Sequence, residues 1–391
     1  MKIMKKMALP LLCATLLCAC TPGEAVRMAR VAASGDMAGA AALARDKGIR
    51  YAMNPAQLEA DLKQLARRLQ EFRDAVAGKW GKDETREAGP KEYVKYTQNY
   101  LSRASVDFDK GVVTVETVDD KSPEKSLHSA IVTTLLTPAD PRAVDMYSAG
   151  EVRLGEEPFL YNEVVDYHGK PIRWAWRAER YASDLIRRAR TMRQVTVDGK
   201  RVTVHSVSFA MVKDHLHIRA RKFREPVRRF AREYGISPNL VYAVMKTESD
   251  FNPFAVSHAP AYGLMQVVPS TAGSDVYTML NGRKGSPTPE QLFDPEINIR
   301  YGTAYLFILN NRYLSDIRHP VSREYCMIAA YNGGAGAVLR SFHQNRRTAA
   351  EIINSLSPDE VYDRLQKRLP SMETRRYLWK VGQARKEFVA L

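Results

Sequence analysis

Residues Ser237–Pro253 read SPNLVYAVMKTESDFNP, and this stretch decides how the C-terminal half of the chain folds. Ser237 is a favourable helix N-cap, and Pro238 suits the first helical position, where no backbone N–H is required. Asn252 and Pro253 are typical of a helix end, because proline disfavours the helical conformation in the residue before it. The stretch therefore predicts one helix that starts after Ser237 and ends at Asn252-Pro253.

The predicted helix carries Glu248 on its apolar side. Val241, Val244, Met245 and Glu248 fall at positions i, i+3, i+4 and i+7, which share one helix face. Burial and the negative end of the helix dipole both disfavour a charged carboxylate, so we expect a raised pKa. A carboxyl that stays protonated is suited to protonating a glycosidic oxygen. On the helix alone, a buried glutamate paired with one of the region's arginines is an equally good interpretation.

Three further motifs follow in order, namely GLMQ at Gly263–Gln266, AYNGG at Ala330–Gly334 and ETRRY at Glu373–Tyr377. Together with Glu248-Ser249 they resemble the lysozyme-like lytic transglycosylases. Four motifs in order over about 130 residues are far more specific than one alone. The resemblance implies an all-α, lysozyme-like catalytic domain of the goose-type lysozyme and transglycosylase class over residues 216–391.

The resemblance also implies roles for the motif residues. Glu248 would protonate the scissile oxygen and then accept a proton, while Met265 would pack beneath a sugar ring. Val268 stands where many relatives have methionine, and this departure concerns the shape of the subsite rather than the chemistry. The other implied substrate-binding residues are Ser257, Gln266, Tyr331, Asn332 and Tyr377, and the implied supporting residues are Ser249 and Glu373, the latter tied to Arg375 or Arg376.

A second catalytic carboxylate is hard to find in the sequence. Glycosidases use two carboxyl groups, but Asp250 projects from the predicted helix away from Glu248, and Asp275 and Asp294 lie outside any motif. The resemblance implies that the C6 hydroxyl of N-acetylmuramic acid attacks C1 instead, which leaves a 1,6-anhydro ring and requires no metal or organic cofactor. The alternative enzyme is a hydrolytic muramidase, which needs a carboxylate that positions water.

The region before the predicted helix has the pattern of an α+β domain, which we expect over residues 91–215. Alternating strands flank Lys110-Gly111 and Asp198-Gly199, which predicts two hairpins, and helical patterns cover 127–136 and 177–190. Segments within 107–174 resemble the N-terminal domain of membrane-bound members of the same family. His215 and His217 lack further ligands at metal-site spacing, so we expect no metal there.

The first residues are typical of a lipoprotein leader. Three lysines precede an apolar stretch that is too short to span a bilayer, and Leu17-Cys18-Ala19-Cys20 resembles a lipobox. We therefore expect a signal peptide over 1–19, acylation such as palmitate on Cys20, and, since Thr21 is not acidic, an outer-membrane location facing the periplasm. Residues 20–90, with Leu58, Leu62, Leu65 and Leu69 at helical spacing, suggest a helical segment or tether.

Charge and cysteine content narrow the partners. The leader and acylation would leave Cys326 as the one free thiol, in an apolar run that predicts a buried packing residue. The formal net charge of +15 fits the glycan strands of peptidoglycan, an anionic polymer, and a leader argues against nucleic acid. The sequence thus favours an enzyme of cell-wall turnover. The alternative from another class is a non-catalytic lipoprotein that binds the wall. The sequence does not identify any protein partner within the wall.

Overall fold

The computed structural model describes residue 67 and residues 70–155, 157–257 and 261–389. The predicted leader, Cys20 and the four spaced leucines lie outside the described residues. Residues 70–80 lie in helix α1, which precedes the sheet.

Five antiparallel strands form the sheet of the N-terminal region, in the order β1-β2-β3-β5-β4. Both predicted hairpins are confirmed, because Asp107 pairs with Val112 across Lys110-Gly111 and Val197 pairs with Lys200 across Asp198-Gly199. The strands are β1 (Glu92–Thr97), β2 (Ser102–Asp107), β3 (Val112–Thr117), β4 (Thr191–Val197) and β5 (Lys200–Ala210).

Helices cover the sheet. Helix α2 (Pro123–Leu136) and helix α3 (Ala175–Ala189) pack against each other, and their buried side chains form one apolar core with β2, β3 and β5. Helix α1 packs a second, smaller core, with Trp80 fully buried against strand residues such as Val94 and Val204. The two predicted helical patterns correspond to α2 and α3, so the expected α+β architecture is confirmed.

The C-terminal region is helical throughout its described part, where the only β pairings are isolated bridges at Val256, Tyr262 and Val267. This confirms the expected all-α architecture. Single π-helical turns lie at Pro269–Gly273 and Leu309–Tyr313. The helices are α4 (His215–Lys222), α5 (Arg224–Tyr234), α6 (Pro238–Ser249), α7 (Ser274–Asn281), α8 (Pro289–Leu292), α9 (Pro295–Ile308), α10 (Pro320–Gly333), α11 (Ala335–Arg340), α12 (Arg346–Ser355), α13 (Pro358–Arg368) and α14 (Met372–Glu387).

Helix α6 starts where the sequence predicts and ends earlier. Ser237 occupies the N-cap and Pro238 the first turn, although the Ser237 hydroxyl donates to Asn239 Oδ1 at 2.6 Å instead of capping the helix. The prediction that the helix ends at Asn252-Pro253 is wrong, because Asp250 is already left-handed at φ 49° and its N–H donates to Lys246 O. Aspartate tolerates this conformation better than most residues. Asn252 instead shapes the following turn by accepting from the Phe254 N–H at 3.0 Å.

One continuous apolar core holds the C-terminal helices together. Helix α6 lies at its centre, with α14 packed along it and α10 packed against α14. Cys326 on α10 is fully buried in this core, as predicted, and burial raises the pKa of its thiol to about 12. The arrangement brings the last turn of α6, which carries Glu248, next to the first turns of α14.

Candidate active site

Glu248 is a partly exposed residue on an otherwise buried helix face. Val241, Val244 and Met245 on the same stripe are each 0% exposed, as the spacing predicts. The pKa of Glu248 is raised to about 8, mainly by burial and also by the charge of Glu373, against the lowering effects of the Tyr377 hydroxyl and Lys91. Among the described residues no lysine or arginine forms an ion pair with Glu248, so the alternative of an arginine-paired structural glutamate finds no support.

Two tyrosines from separate motifs lie beside Glu248. Tyr331 and Tyr377 both have pKa values well above the ordinary 10, because they are buried and face the charge of Glu248. The Tyr331 hydroxyl donates to Met265 O at 2.8 Å. Tyr377 Oη is close enough to lower the pKa of Glu248, yet it has no partner of good hydrogen-bond geometry within the described chain. The structure therefore brings together three of the residues expected at the site.

The GLMQ motif forms a tight loop against the end of α6. Gly263 has φ +70°, and a Cβ there would lie 2.5 Å from Asn298 Nδ2, so only glycine fits. Ser249 Oγ donates to Leu264 O at 2.7 Å, which ties the loop to the residue next to Glu248. Gln266 Nε2 donates to Gly263 O at 3.0 Å and to Ala255 O at 3.2 Å, whereas its Oε1 is buried with no partner in the described residues.

Asn298 on α9 holds this loop, and sequence reasoning missed it. Its side chain is fully buried, accepts from Met265 N at 2.8 Å and donates to Tyr262 O and Leu292 O. An amide within the apolar run Ile297-Asn298-Ile299 was the available signal, because a buried amide needs several hydrogen-bond partners. Two of its three partners lie more than thirty residues away in sequence, so the local pattern does not reveal them.

We use the word cleft for the surface formed by the partly exposed residues Glu248, Gln266 and Tyr331. The Met265 side chain does not reach this surface, so the expectation that it packs beneath a sugar ring is not met. Its side chain is 0% exposed and fills the space at Gly302, where a Cβ would come within 2.3 Å of the Met265 sulfur. The close approach of α9 draws the methionine into the apolar core. Its backbone still contributes to the site, because Met265 O accepts from Tyr331.

The remaining motif residues take up peripheral positions. Asn332 Oδ1 accepts from Thr374 Oγ1 at 2.8 Å, which joins α10 to α14 beside the cleft. Ser257 is partly exposed and adjoins residues 258–260, which lie outside the described chain. Glu373 is exposed and has no ion pair with a described residue. The expected tie to Arg375 or Arg376 is wrong, because neither forms an ion pair with Glu373, and the Arg375 guanidinium donates to Leu369 O at 2.6 Å.

Lys91, from the N-terminal region, reaches the end of α6 and was also missed. Lys91 Nζ lies 2.7 Å from Asp250 Oδ2 and donates to Lys246 O at 3.1 Å. The Asn252 amide donates to Pro90 O at 3.1 Å, and Phe254 inserts into the core of the N-terminal region. A lone lysine between Pro90 and a strand gives no sequence signal for this contact, since the partners are far apart along the chain.

The other aspartates considered as a second catalytic group have structural partners. Asp250 pairs with Lys91, and Asp275 Oδ2 accepts from Tyr313 Oη at 2.9 Å. Asp294 caps α9 by accepting from the Glu296 and Ile297 N–H groups. Among the described residues, Glu373 is thus the carboxyl whose charge acts on Glu248.

The described residues contain no group of three or more metal-ligand side chains. His215 lies 2.8 Å from an Arg219 guanidinium nitrogen, and His217 Nδ1 lies 2.9 Å from Asp214 Oδ1. Both histidines therefore have partners other than a metal.

Comparison with known proteins gives two family matches. Residues 58–222 match the sequence model described as the N-terminal domain of membrane-bound lytic murein transglycosylase C, and residues 225–354 match the transglycosylase SLT domain. Proteins named membrane-bound lytic murein transglycosylase C from Klebsiella pneumoniae (strain 342) and Cronobacter sakazakii are 48% and 47% identical over 81% of this chain and 87% of theirs. The 70 kDa soluble lytic transglycosylase of Escherichia coli is 27% identical over 44% of this chain, with a TM-score of 0.33, and the match spans 25% of that structure.

Proposed function

Because this chain belongs to the membrane-bound lytic murein transglycosylase C family, we propose that it cleaves peptidoglycan with Glu248 as its single acid and base. The bond cut is the glycosidic bond between N-acetylmuramic acid and N-acetylglucosamine. The product is a glycan end that carries a 1,6-anhydro ring.

The observation that carries this proposal is the environment of Glu248. Its pKa of about 8 keeps the carboxyl protonated at neutral pH, and no described cation is paired with it. A protonated acid near the operating pH is suited to donating a proton to a leaving oxygen. The site therefore has its acid ready before substrate binds.

The same carboxyl completes the reaction as a base. Glu248 gives its proton to the glycosidic oxygen as the bond from that oxygen to C1 breaks. The resulting carboxylate then takes the proton of the C6 hydroxyl as that oxygen bonds to C1, which restores the acid. The Tyr377 hydroxyl beside it stabilises the charged carboxylate between the two steps, as its lowering effect on the Glu248 pKa indicates.

The substrate supplies what the enzyme lacks. The N-acetyl group of N-acetylmuramic acid lies next to C1 and stabilises the developing positive charge there, while the C6 hydroxyl is the nucleophile. Because this nucleophile belongs to the same sugar as C1, its attack is intramolecular. The reaction therefore requires no second enzyme carboxylate. Gln266 Oε1, buried without a described partner, is the proposed acceptor for the N-acetyl N–H. Ser257 and Asn332 stay proposed as further sugar contacts.

Digestion of purified sacculi tests the reaction. We expect muropeptides whose muramic acid ends are lighter by one water than hydrolytic ends. Reducing ends in their place would favour the muramidase alternative, with Glu373 as the first candidate to position water.

We further propose that the protein is an outer-membrane lipoprotein anchored through Cys20 and facing the periplasm. The leader pattern supports this, and no helix in the described part of the chain is both long and apolar enough to cross a membrane. Two or more acyl chains give stable anchoring, whereas one is marginal. We expect Cys20→Ala to move the protein from the membrane fraction to the soluble periplasmic fraction. Retention of this variant on membranes after a high-salt wash would contradict the anchor.

A further inference from the structure

The N-terminal region exposes an unusual group of aromatic and basic side chains at the start of α3. The sequence there reads Arg173-Trp174-Ala175-Trp176-Arg177. Trp174 is 60% exposed and Trp176 is 56% exposed, and Tyr167 nearby is 47% exposed. We define the tryptophan–arginine patch as Tyr167, Arg173, Trp174, Trp176 and Arg177, together with Arg188 from the last turn of α3, whose guanidinium lies over the Tyr167 ring.

More than half of the surface of each of the two patch tryptophans, Trp174 and Trp176, is exposed. Trp174 occupies the N-cap of α3 without a side-chain capping bond, and three of the four largely exposed aromatic side chains of the described residues belong to the patch. The fourth is Trp379, on α14 of the helical region. Exposed indole rings cost hydrophobic free energy, so a cluster of them indicates an interaction surface.

An arginine guanidinium group lies over each of the three aromatic rings of the patch. The Arg177 Cζ lies 4.5 Å from the centroid of the Trp176 ring, and the Arg173 Cζ lies 5.4 Å from that of Trp174. The Arg188 Cζ lies 4.5 Å from the Tyr167 ring. One face of each ring is therefore covered by a cation, which leaves fewer open aromatic faces on which a sugar ring could stack.

The patch is strongly basic and only partly neutralised. Residues 166–190 hold seven lysines and arginines against three acidic residues. Arg177 pairs with Asp166, but Arg188 has no carboxylate partner among the described residues, and Arg173 reaches Glu157 only at 3.9 Å. A partner rich in phosphate complements this charge, because guanidinium groups bind phosphate through paired hydrogen bonds.

We propose that the tryptophan–arginine patch docks the N-terminal region on the phospholipid surface of the membrane. Indole rings favour the boundary between headgroups and acyl chains, and arginines bind the phosphates there. The chain outside the structure fits this occupant, since about fifty residues separate Cys20, the proposed acylation point, from α1. The patch would hold the body of the enzyme at the bilayer.

Vesicle binding of a form without acyl chains tests the patch by itself. The full mature chain carrying Cys20→Ala is mixed with vesicles of phosphatidylethanolamine and phosphatidylglycerol, and bound protein is measured by sedimentation. We expect the added substitutions W174A/W176A to weaken binding at least about tenfold. Trp379→Ala removes an equally exposed indole from the helical region and should leave binding unchanged.

A charge variant guards against misfolding of the tryptophan variant. Arg173→Gln/Arg188→Gln keeps both indoles and should also weaken binding to anionic vesicles, by about tenfold. Unchanged vesicle binding in both patch variants would overturn the proposal. So would binding to purified sacculi that depends on Trp174 and Trp176 with no binding to vesicles, because the partner would then be glycan.

The release of fragments from solubilised glycan strands separates this inference from the proposed reaction. All patch variants should retain it, since Trp174 and Trp176 are outside the site around Glu248. Failure of the membrane test with intact turnover would overturn only the docking surface.

Discussion

The end of helix α6 carries two buried carboxyls on opposite sides, and they differ in whether an ion pair accompanies them. On the cleft side, Glu248 has no ion-pair partner among the described residues. On the junction side, where α6 meets the N-terminal region, Asp250 is 1% exposed and pairs with Lys91 at 2.7 Å. Burial raises the pKa of both carboxyls. Two residues apart on one chain, the cost of burying the charge is partly offset by an ion pair at the junction and has no such offset in the cleft.

This difference indicates that the junction side stabilises the fold, whereas the cleft side carries the chemistry. At the junction, Arg219 joins Glu163 to the end of α6, because its guanidinium donates to Glu163 Oε2 at 2.8 Å and to Asp250 O at 2.5 Å. In the cleft, Tyr377 Oη and Gln266 Oε1 lack well-placed partners among the described residues. Proteins accept such local deficits at functional sites and compensate for them elsewhere. We interpret the junction as the support that holds an uncompensated site in place.

The largest expected effect falls on the cleft side. Glu248→Gln should lower turnover on sacculi by about 10³-fold, because an amide can neither donate nor accept the required proton. The fold should persist, since the neutral amide occupies the same place without the cost of a buried charge. Turnover within tenfold of the original enzyme would show that another group is the acid. A loss of the folded state would instead assign Glu248 a structural role.

On the junction side the expected effect is on stability. Glu163 is 0% exposed and holds both Arg219 and Lys222, so Glu163→Gln leaves a buried guanidinium without its counter-charge. We expect the free energy of unfolding to fall by about 3 kcal/mol, measured by urea denaturation. Turnover below the unfolding transition should change little.

Glu387→Gln is the matched control for the junction. It removes the ion pair between Glu387 on α14 and Lys246 on α6, which is more exposed than the ion pairs of Glu163. The loss should cost less than about 1 kcal/mol. Equal destabilisation by the two variants would contradict a special role for the junction.

Local patterns explain what the sequence predicted correctly. Turn pairs such as Asp198-Gly199 specify a hairpin by their own backbone preferences, and the spacing of Val241, Val244 and Met245 specifies the buried face of α6. The ordered motifs also brought Glu248, Tyr331 and Tyr377 together, as expected. These predictions depend on neighbours in sequence or on a family pattern.

Long-range contacts explain what the sequence did not predict. The role of Lys91 depends on the packing of one region against another, and that of Asn298 on a loop more than thirty residues away. For Met265, an apolar residue in a loop could face either the cleft or the core, and only the close approach of Gly302 decides for the core. Such choices are set by tertiary packing rather than by local pattern.

The pH dependence of activity should reflect the raised pKa of Glu248. With a pKa of about 8, Glu248 is protonated below that pH, so kcat/KM should fall as the pH rises through about 8. Stability should change in the same direction. Between the ordinary pKa of 4.5 and about 8 the folded protein keeps a proton that the unfolded chain has released, so the contribution of this group declines as the pH rises.

Two measurements check these directions. An alkaline limb of kcat/KM with an apparent pKa below about 6 would exclude Glu248 as a buried acid. Glu248→Gln should become more stable relative to the original enzyme as the pH rises between those values, because the amide carries no charge to bury.

The smallest expected effect is the influence of Lys91, on the junction side, on the pKa of Glu248, on the cleft side. The Lys91 charge lowers the pKa of Glu248, so Lys91→Met should move the alkaline limb to higher pH by less than about one unit. Lys246→Met, on the same helix but paired with Glu387, is the control and should leave the limb in place. A shift to lower pH in Lys91→Met, or equal shifts in both variants, would contradict the coupling.

Digestion of sacculi in heavy-oxygen water tests the central claim most directly. If Glu248 alone serves as acid and base while the C6 hydroxyl attacks C1, solvent never bonds to C1. The new muramic acid ends should then carry 1,6-anhydro rings without solvent oxygen, both in the original enzyme and in Glu373→Gln. Reducing ends that contain the heavy isotope, and that disappear in Glu373→Gln, would contradict the account and establish a water-positioning carboxylate.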